Sequence, residues 1–477
     1  MREKLSFNGA FTRGGSDLPV CYLPFEMPAG AKRLEVSYHF QRAEPQPEGE
    51  PDDVVDIGVF DARGIDFLGG GFRGWSGSAR RSFIITSQEA TPGYIRGPLL
   101  PGQWHIFLDY RISHSEVLPY WVHLNLDIDP DAPDAGAAVA DAPPVLQRPA
   151  PPGAPGSARW YRGDFHSHTV HSDGYNTVDE YAVAAQRLGL DFLAITDHNT
   201  SSHFEEIANR PPGRGALLIP GEEVTTFRGH ANVWGLGCWV DFRCAGDAAM
   251  QRVLDWVHAQ GGLFSPNHPK RGYPWEFAGV RGFRVTEAWQ GPWRLFNTES
   301  LDFWERRLRA GERVTAVGGS DCHSIPPAAF IHPWTLGNPC TWVYAQEPLS
   351  EESILNAVRA GHVFLSEDPT GPILELSATC DQRPYMVGDA VQARAGTPLR
   401  LRLHYRGPAE KKLRLIRNGE LWQQADADKE DVTLEFELPV TEPGYIRAEA
   451  AGFRGRPERG EVVHAMTNPI YLSVEGS

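Results

Sequence analysis

The chain has 477 residues, of which 41% are hydrophobic and 22% charged, and its formal net charge is −16. This composition is typical of a globular protein with two to four domains of roughly 150 residues each. The acidic excess argues against a general binder of nucleic acids or anionic membranes, because such binding depends on basic residues that displace counterions. No stretch approaches the roughly 20 apolar residues of a membrane span, and the charged start of the chain predicts no secretory signal. We therefore expect a cytoplasmic protein.

Residues 1–130 predict an all-β sandwich or jelly roll. Segments such as RLEVSYHF and WVHLNLDI alternate apolar and polar residues, and Gly, Pro and Asp separate them. This is the pattern of half-buried strands joined by turns. Residues 131–157 are rich in Pro and Ala and poor in large apolar side chains, which predicts an interdomain linker.

Residues 158–366 alternate short apolar strands with helices. The helix in VDEYAVAAQRLG has a capping box of Thr177 and Glu180 and ends at Gly189. Two further helices, in DAAMQRVLDWVHAQGG and ESLDFWERRLRAG, also end at glycine. With about seven strands, this alternation predicts a central α/β domain built as a parallel barrel.

Residues 367–477 return to the strand pattern. The segment LRLIRNGELWQQ contains Asn-Gly between two alternating runs, which is a strong signal for a β-hairpin. We predict a second, C-terminal β-sandwich.

Metal-capable side chains follow six strands of the predicted barrel, at the end where αβ barrels hold their active sites. The stretch GDFHSHTVHSDG supplies His166 and His168, which would share one face of a strand and bind one cation. TDH, GEE, a lone histidine before ANVWGLG, NHP and SDCH follow in order. Each motif alone has a simple structural explanation, but their joint placement indicates a metal site.

With these motifs the chain resembles the polymerase and histidinol phosphatase (PHP) family, whose pattern is HxH, SDG, TDH, a strand-borne Glu, a lone His, His-Pro and SDxH. The likeness extends to the carbaryl-hydrolase (CehA/McbA-like) branch through PGEEVTTFRGHANVWG and NPCTWVYA. It covers roughly residues 158–366 and implies a distorted (βα)7 barrel there. The flanking sandwiches are predicted from the strand pattern alone.

The resemblance also implies roles for individual residues. Glu223 would bridge two metals, and it is chosen over Glu222 by its spacing from Gly221. Glu222 would support the site without binding a metal. His171 is an extra histidine that would orient a ligand or contact substrate. We expect catalytic roles for Glu223, Asp321, His323 and His171. The implied ligands are His166, His168, Glu223 and Asp321 for a first metal, Glu223, His230 and His268 for a second, and Asp173, His198 and His323 for a third.

The implied cofactors are two or three divalent ions. Nitrogen and carboxylate ligands without thiolate suit manganese, zinc or iron. Two cations bridged by a carboxylate can lower the pKa of a shared water to about 7. The resulting hydroxide attacks phosphorus or a carbonyl carbon while the cations neutralise the oxygen that gains charge.

The main prediction for the activity is hydrolysis of a small phosphomonoester or phosphodiester, because a trinuclear site matches a charged group with several oxygens. Carbamate or aryl carboxylester hydrolysis is the alternative. A noncatalytic binding protein is a further alternative. An amidohydrolase is disfavoured, because that class places a carboxylated lysine where this chain has GEE.

Several residues near the strand ends are candidates for substrate contact. Tryptophans there would line a pocket for a flat leaving group or pack in the core. Arginines would clamp a phosphate or lie on the surface. The candidates are Asn267, Arg271, Trp289, Trp293 and Arg294, with Trp275 as a further aromatic.

Overall fold

The computed structural model describes residues 1–14, 19–42, 52–131, 156–211, 213–325, 335–453 and 460–475. These segments form a mostly β, multidomain structure with 27 strands and five helices. The predicted linker, residues 131–157, lies outside them except at its ends. Within the same segments, no helix combines the length and apolar character that a bilayer crossing requires.

The N-terminal part is a sandwich of two four-stranded antiparallel sheets, ordered β1-β8-β3-β6 and β2-β7-β4-β5. Alternate residues of both sheets, such as Val36 and Ile106, meet in one buried core, as the period of two in a strand requires. We call this unit the N-terminal sandwich. Its strands are β1 (Arg2–Thr12), β2 (Val20–Met27), β3 (Ala31–Phe40), β4 (Val54–Phe60), β5 (Phe72–Gly77), β6 (Ser82–Thr86), β7 (Gly102–Arg111) and β8 (Val117–Ile128).

The central part contains all five helices. The capping box of Thr177 and Glu180 is confirmed at the start of α1. Its elements are β9 (Ala158–Asp164), α1 (Val178–Arg187), β10 (Phe192–Ile195), α2 (Phe204–Ala208), β11 (Leu217–Thr226), β12 (Gly229–Trp234), α3 (Asp247–Ala259), β13 (Leu263–Pro266), β14 (Val285–Gln290), α4 (Asn297–Arg309), β15 (Thr315–Gly319), β16 (Cys340–Gln346), α5 (Glu351–Ala360) and β17 (Val363–Ser366).

The predicted closed (βα)7 barrel is not observed, because no sheet closes on itself in the described part of the chain. Strands β9, β10 and β11 are parallel, as are β14 and β15, but β11, β12 and β13 run antiparallel. The cause is a tight turn in which Thr226 pairs with Gly229. Two residues can reverse the chain into an antiparallel neighbour, whereas a parallel connection needs a crossover of about a dozen residues or more.

The C-terminal part adds a four-stranded sheet, β19-β18-β21-β24, and strands that extend the central sheet. Both share one core. The predicted hairpin is confirmed at Asn418 and Gly419, whose φ angles are 50° and 81°. Because β17 pairs with β26, one sheet crosses the predicted boundary at 366–367, and the division into domains stays a prediction. The strands are β18 (Ile373–Cys380), β19 (Arg383–Met386), β20 (Ala390–Ala393), β21 (Thr397–Arg406), β22 (Lys411–Arg417), β23 (Glu420–Ala427), β24 (Asp431–Val440), β25 (Gly444–Phe453), β26 (Glu461–Thr467) and β27 (Ile470–Val474).

The N-terminal sandwich packs directly on the central part. The Phe72 ring stacks on Trp239 with 4.0 Å between centroids. Arg243 is buried and donates to the carbonyl oxygens of Ile65 (2.8 Å) and Asp66 (3.1 Å). These apolar and charge-assisted contacts hold the sandwich beside the strand ends that carry the predicted site.

Candidate metal centre

The fold brings all nine predicted metal ligands together, and we call these residues the ligand cluster. They follow β9, β10, β13 and β15 or lie on β11 and β12. Within the described residues, three overlapping groups have one ligand atom per residue, all within 4.8 Å of one another. The groups are His168, Asp173, His198 and His323; His166, His168 and Glu223; and His198, Glu223 and His230.

The two histidines of the HxH motif lie just beyond a strand, which corrects the prediction that they are part of it. Strand β9 ends at Asp164. The Asp164 carboxylate is buried and accepts N–H donors from His166 (3.0 Å), Ser320 (2.9 Å) and Gly337 (2.8 Å). These bonds fix the chain after the strand, so that the His166 and His168 rings lie 5.0 Å apart between centroids.

Glu223 is fully buried at the centre of the ligand cluster. Its carboxylate oxygens lie 2.9 Å from His198 Nδ1, 3.2 Å from His230 Nδ1, 3.3 Å from His268 Nε2 and 3.4 Å from His166 Nε2. Burial alone would raise the pKa of Glu223, but the surrounding histidines hold it well below its usual value. A carboxylate is therefore present where several histidines converge.

The neighbouring Glu222 points to the other face of β11, as adjacent residues in a strand do. It accepts the backbone N–H of Val240 at 2.9 Å. Burial and the nearby charge of Asp241 raise its pKa well above the usual value of a glutamate. The pKa values of the two buried glutamates are therefore shifted in opposite directions.

Two further carboxylates complete the cluster. Asp321 Oδ1 lies 2.9 Å from His168 Nε2, and Asp173 Oδ1 lies 3.3 Å from His323 Nε2 and 3.6 Å from His198 Nε2. Burial, together with the neighbouring His323 and His198, lowers the pKa of His168 to about 4. Burial would also lower the pKa of His323, but Asp173 raises it to about 10. The pKa values of these two histidines are thus shifted in opposite directions by their surroundings.

The donor set fits divalent cations. In the segments that the structure describes, both ring nitrogens of His168 and Nε2 of His166 are buried without a hydrogen bond of good geometry, although His168 Nε2 lies 2.9 Å from Asp321 and His166 Nε2 lies 3.4 Å from Glu223 and from Asp321. Buried polar atoms without partners are costly, and a cation between nitrogen and oxygen donors would satisfy them. His268 and Asp321 also have left-handed backbones, with φ of 30° and 55°, an uncommon conformation that collects at functional sites.

The sequence prediction missed residues that orient the ligands. Glu287 lies on β14. Its Oε1 is 2.9 Å from His166 Nδ1, and its Oε2 accepts the backbone N–H of His268 at 2.8 Å. Gln290 donates to Asp321 Oδ2 at 2.8 Å. Such partners fix the ring orientation and tautomer of metal ligands. The sequence feature that could have indicated Glu287 and Gln290 is their polar character within the otherwise apolar strand VTEAWQ.

Two polar residues that the sequence singled out, Asn267 and His171, have hydrogen-bond partners that show where they lie relative to the ligand cluster. Asn267 donates to Glu223 Oε1 at 2.8 Å, so it supports the central carboxylate. His171 is outside the three ligand groups, and its ring nitrogens lie 2.8 Å from Ser202 Oγ and 3.1 Å from Glu206 Oε2. Its ring links the loop after β9 to the start of α2.

The remaining candidates for substrate contact lie in the core or on the surface. Trp289 and Trp293 are buried and pack edge to face at 4.7 Å between ring centroids. Arg271 is 67% exposed and forms an ion pair with Glu299. Arg294 is exposed and donates to the Gly460 carbonyl at 3.4 Å. Trp275 is half-buried, and its ring packs near Phe264.

Residues 164–240 match the model of the PHP domain family, and this segment carries the ligands from His166 to His230. The chain is also similar to the 5'-3' exoribonuclease Rnm of Salmonella typhimurium, with 30% identity over 142 residues. The match covers 28% of this chain and 43% of that protein, so the chain spans less than half of the length of this curated relative.

Two solved structures show partial likeness. One is a two-domain protein from Bacteroides vulgatus that contains a predicted PHP-like metal-dependent phosphoesterase, with a TM-score of 0.35 and 18% identity over 69% of this chain and 99% of that chain. The other is an amidohydrolase from Chromobacterium violaceum, with a TM-score of 0.26 and 18% identity over 43% of this chain and 97% of that chain.

Proposed function

We propose that the protein is a divalent-metal-dependent hydrolase that cleaves phosphate esters. The observation that carries this proposal is the buried Glu223 carboxylate, which several histidines surround within hydrogen-bonding or ion-pair distance. The PHP domain match over 164–240 and the similarity to an exoribonuclease support the same reaction class.

The ligand cluster would hold up to three divalent ions, with manganese, zinc or iron suited to its nitrogen and oxygen donors. Bound divalent ions supply Lewis-acid activation of water and of the ester oxygens. Our assignment is His166, His168, Glu223 and Asp321 to one ion, Glu223, His230 and His268 to a second, and Asp173, His198 and His323 to a third.

Hydrogen bonds from the residues around the ligand cluster orient its metal-binding atoms. When the His166 Nδ1–H donates to Glu287, the lone pair of Nε2 faces Glu223 and Asp321. Gln290 holds Asp321 Oδ2 and leaves Oδ1 facing the histidines. The site is therefore oriented by hydrogen bonds before any ion binds, which favours a fixed geometry.

Metal removal and reloading test this proposal. We expect the purified protein to contain two to three divalent ions per chain by inductively coupled plasma mass spectrometry. Exhaustive chelation should abolish hydrolysis of nitrophenyl phosphate mono- or diesters, and manganese, zinc or iron should restore it. Hydrolysis that survives complete metal removal would contradict the proposal. Cleavage of naphthyl carbamates or carboxylesters in place of phosphate esters would support the carbamate alternative.

A further inference from the structure

A cavity of about 1260 Å³ lies between the N-terminal sandwich and the ligand cluster. Asp173, His198 and His230 line one side of it, and His39, Trp121 and Arg111 line another. Binding pockets for small molecules usually have roughly 300–1,000 Å³. The cavity therefore has room for much more than the ester group that would react at the metal centre.

The sandwich is attached directly to the loops that carry metal ligands. Arg80 donates to the carbonyl oxygens of Ser172, at 2.8 Å, and Val170, which belong to the loop before Asp173. The Arg111 guanidinium lies 5.0 Å above the ring of Phe227, in the turn between β11 and β12. Because both contacts involve loops of the ligand cluster, the sandwich wall has a fixed position relative to the centre.

Arg111 presents a positive charge to this cavity. It is half-buried and donates to the Asp52 carbonyl at 3.3 Å. Among the residues that the structure describes, no side-chain hydrogen bond joins its guanidinium to a carboxylate, although the charges of Asp56, Asp52 and Asp53 act on it. Other carboxylates of the lining have their own partners: Asp52 pairs with Arg42, Asp53 accepts the N–H groups of Ser113, His114 and Ser115, and Asp173 faces histidines. Asp56 is buried in the wall.

An aromatic surface lies on the same wall. His39 on β3 and Trp121 on β8 are directly opposite in the antiparallel ladder. Their rings stack with 4.6 Å between centroids and 9° between planes. His39 is exposed and Trp121 half-buried, so a planar group in the cavity can contact this ring pair.

We propose that the N-terminal sandwich binds the part of the substrate that hydrolysis releases, with Arg111 contacting an anionic group and the His39–Trp121 pair contacting a planar ring. The substrate class is then a phosphate ester of an anionic aromatic alcohol. This inference rests on the proposed function for the position of the reacting ester, and it adds the recognition of the leaving alcohol.

Three esters test it: phenyl phosphate, 2-naphthyl phosphate and 6-sulfo-2-naphthyl phosphate. Because a hydrogen bond to a charged group is lost, R111Q should lower kcat/KM for the sulfonated ester by about tenfold or more. It should leave 2-naphthyl phosphate nearly unchanged, and R111K should retain part of the effect. W121L should lower kcat/KM for both naphthyl esters relative to phenyl phosphate. R33Q, on the same sandwich, and W422L, in the C-terminal part, are the matched controls.

A binding measurement separates this inference from the proposed function. Calorimetry on the metal-free protein should show binding of the product 6-hydroxynaphthalene-2-sulfonate, about tenfold weaker in R111Q and weaker in W121L. Melting temperatures near that of the wild type would show that the variants are folded. If the loaded wild type hydrolyses none of the esters, the proposed function fails and product binding alone decides the inference. The inference would be overturned if R111Q lowered kcat/KM equally for both naphthyl esters, or if neither variant changed the affinity for the product.

Discussion

Replacing Glu223 by glutamine removes one negative charge from the centre of the ligand cluster while it preserves the shape of the side chain. The amide oxygen can still accept the Asn267 N–H that the carboxylate accepts at 2.8 Å, so we expect the fold to persist. Two unit charges about 4 Å apart interact by roughly 4 kcal/mol at an effective dielectric constant of about 20. Since about 1.4 kcal/mol is a factor of ten, we expect metal affinity to fall by about a thousandfold or more.

The assay compares E223Q with E222Q after dialysis, by metal content and by phosphate-ester hydrolysis. Glu222 is an equally buried neighbour on the same strand, and burial raises its pKa, which favours the uncharged form of the carboxyl group. A neutral amide should therefore replace it with little change in melting temperature, metal content or rate. If E223Q kept its metal and E222Q lost it, our reasoning about the charge at this strand would be refuted.

Four further changes have definite expected results. E287Q removes the acceptor that orients a ligand histidine, and metal affinity measured by competition with a chelator should fall by about 10–100-fold. G319A would place a Cβ 2.3 Å from the Cβ of His166, so metal content should fall. G70A has open space around its Cβ and should match the wild type. H198A, with its remaining metals confirmed present, should impair phosphate-ester cleavage much more than carboxylester cleavage; equal losses would remove the reason for preferring phosphate esters. Burial would raise the pKa of Asp53, but a hydroxyl and three backbone N–H donors hold it below its usual value. The Asp53 carboxylate therefore stabilises the fold above its unfolded pKa of about 4, and D53N should lower the melting temperature at pH 7 and flatten its fall below pH 4.

The residues that orient the metal ligands could not be predicted from the local sequence. The HxH, TDH, GEE and SDCH motifs single out their residues because each lies at the end of an apolar strand. Glu287 has no such local signature, since its importance comes from His166, which is 121 positions away in the chain. His171 lies within a histidine-rich motif, and its ring contacts Ser202 and Glu206, so its role at the site stays a prediction.

The sequence by itself determined the features that depend on neighbouring residues: the capping box of α1, the Asn-Gly hairpin and the strand pattern at both ends of the chain. It also singled out the nine residues that the fold gathers into one cluster. Only the tertiary structure decided that β12 returns antiparallel to β11, so that the sheet stays open, and that the N-terminal sandwich forms one wall of the cavity beside the metal ligands. The physical reason is that strand direction and domain contact depend on pairings between distant segments, whereas local patterns record only which residues become buried or turn.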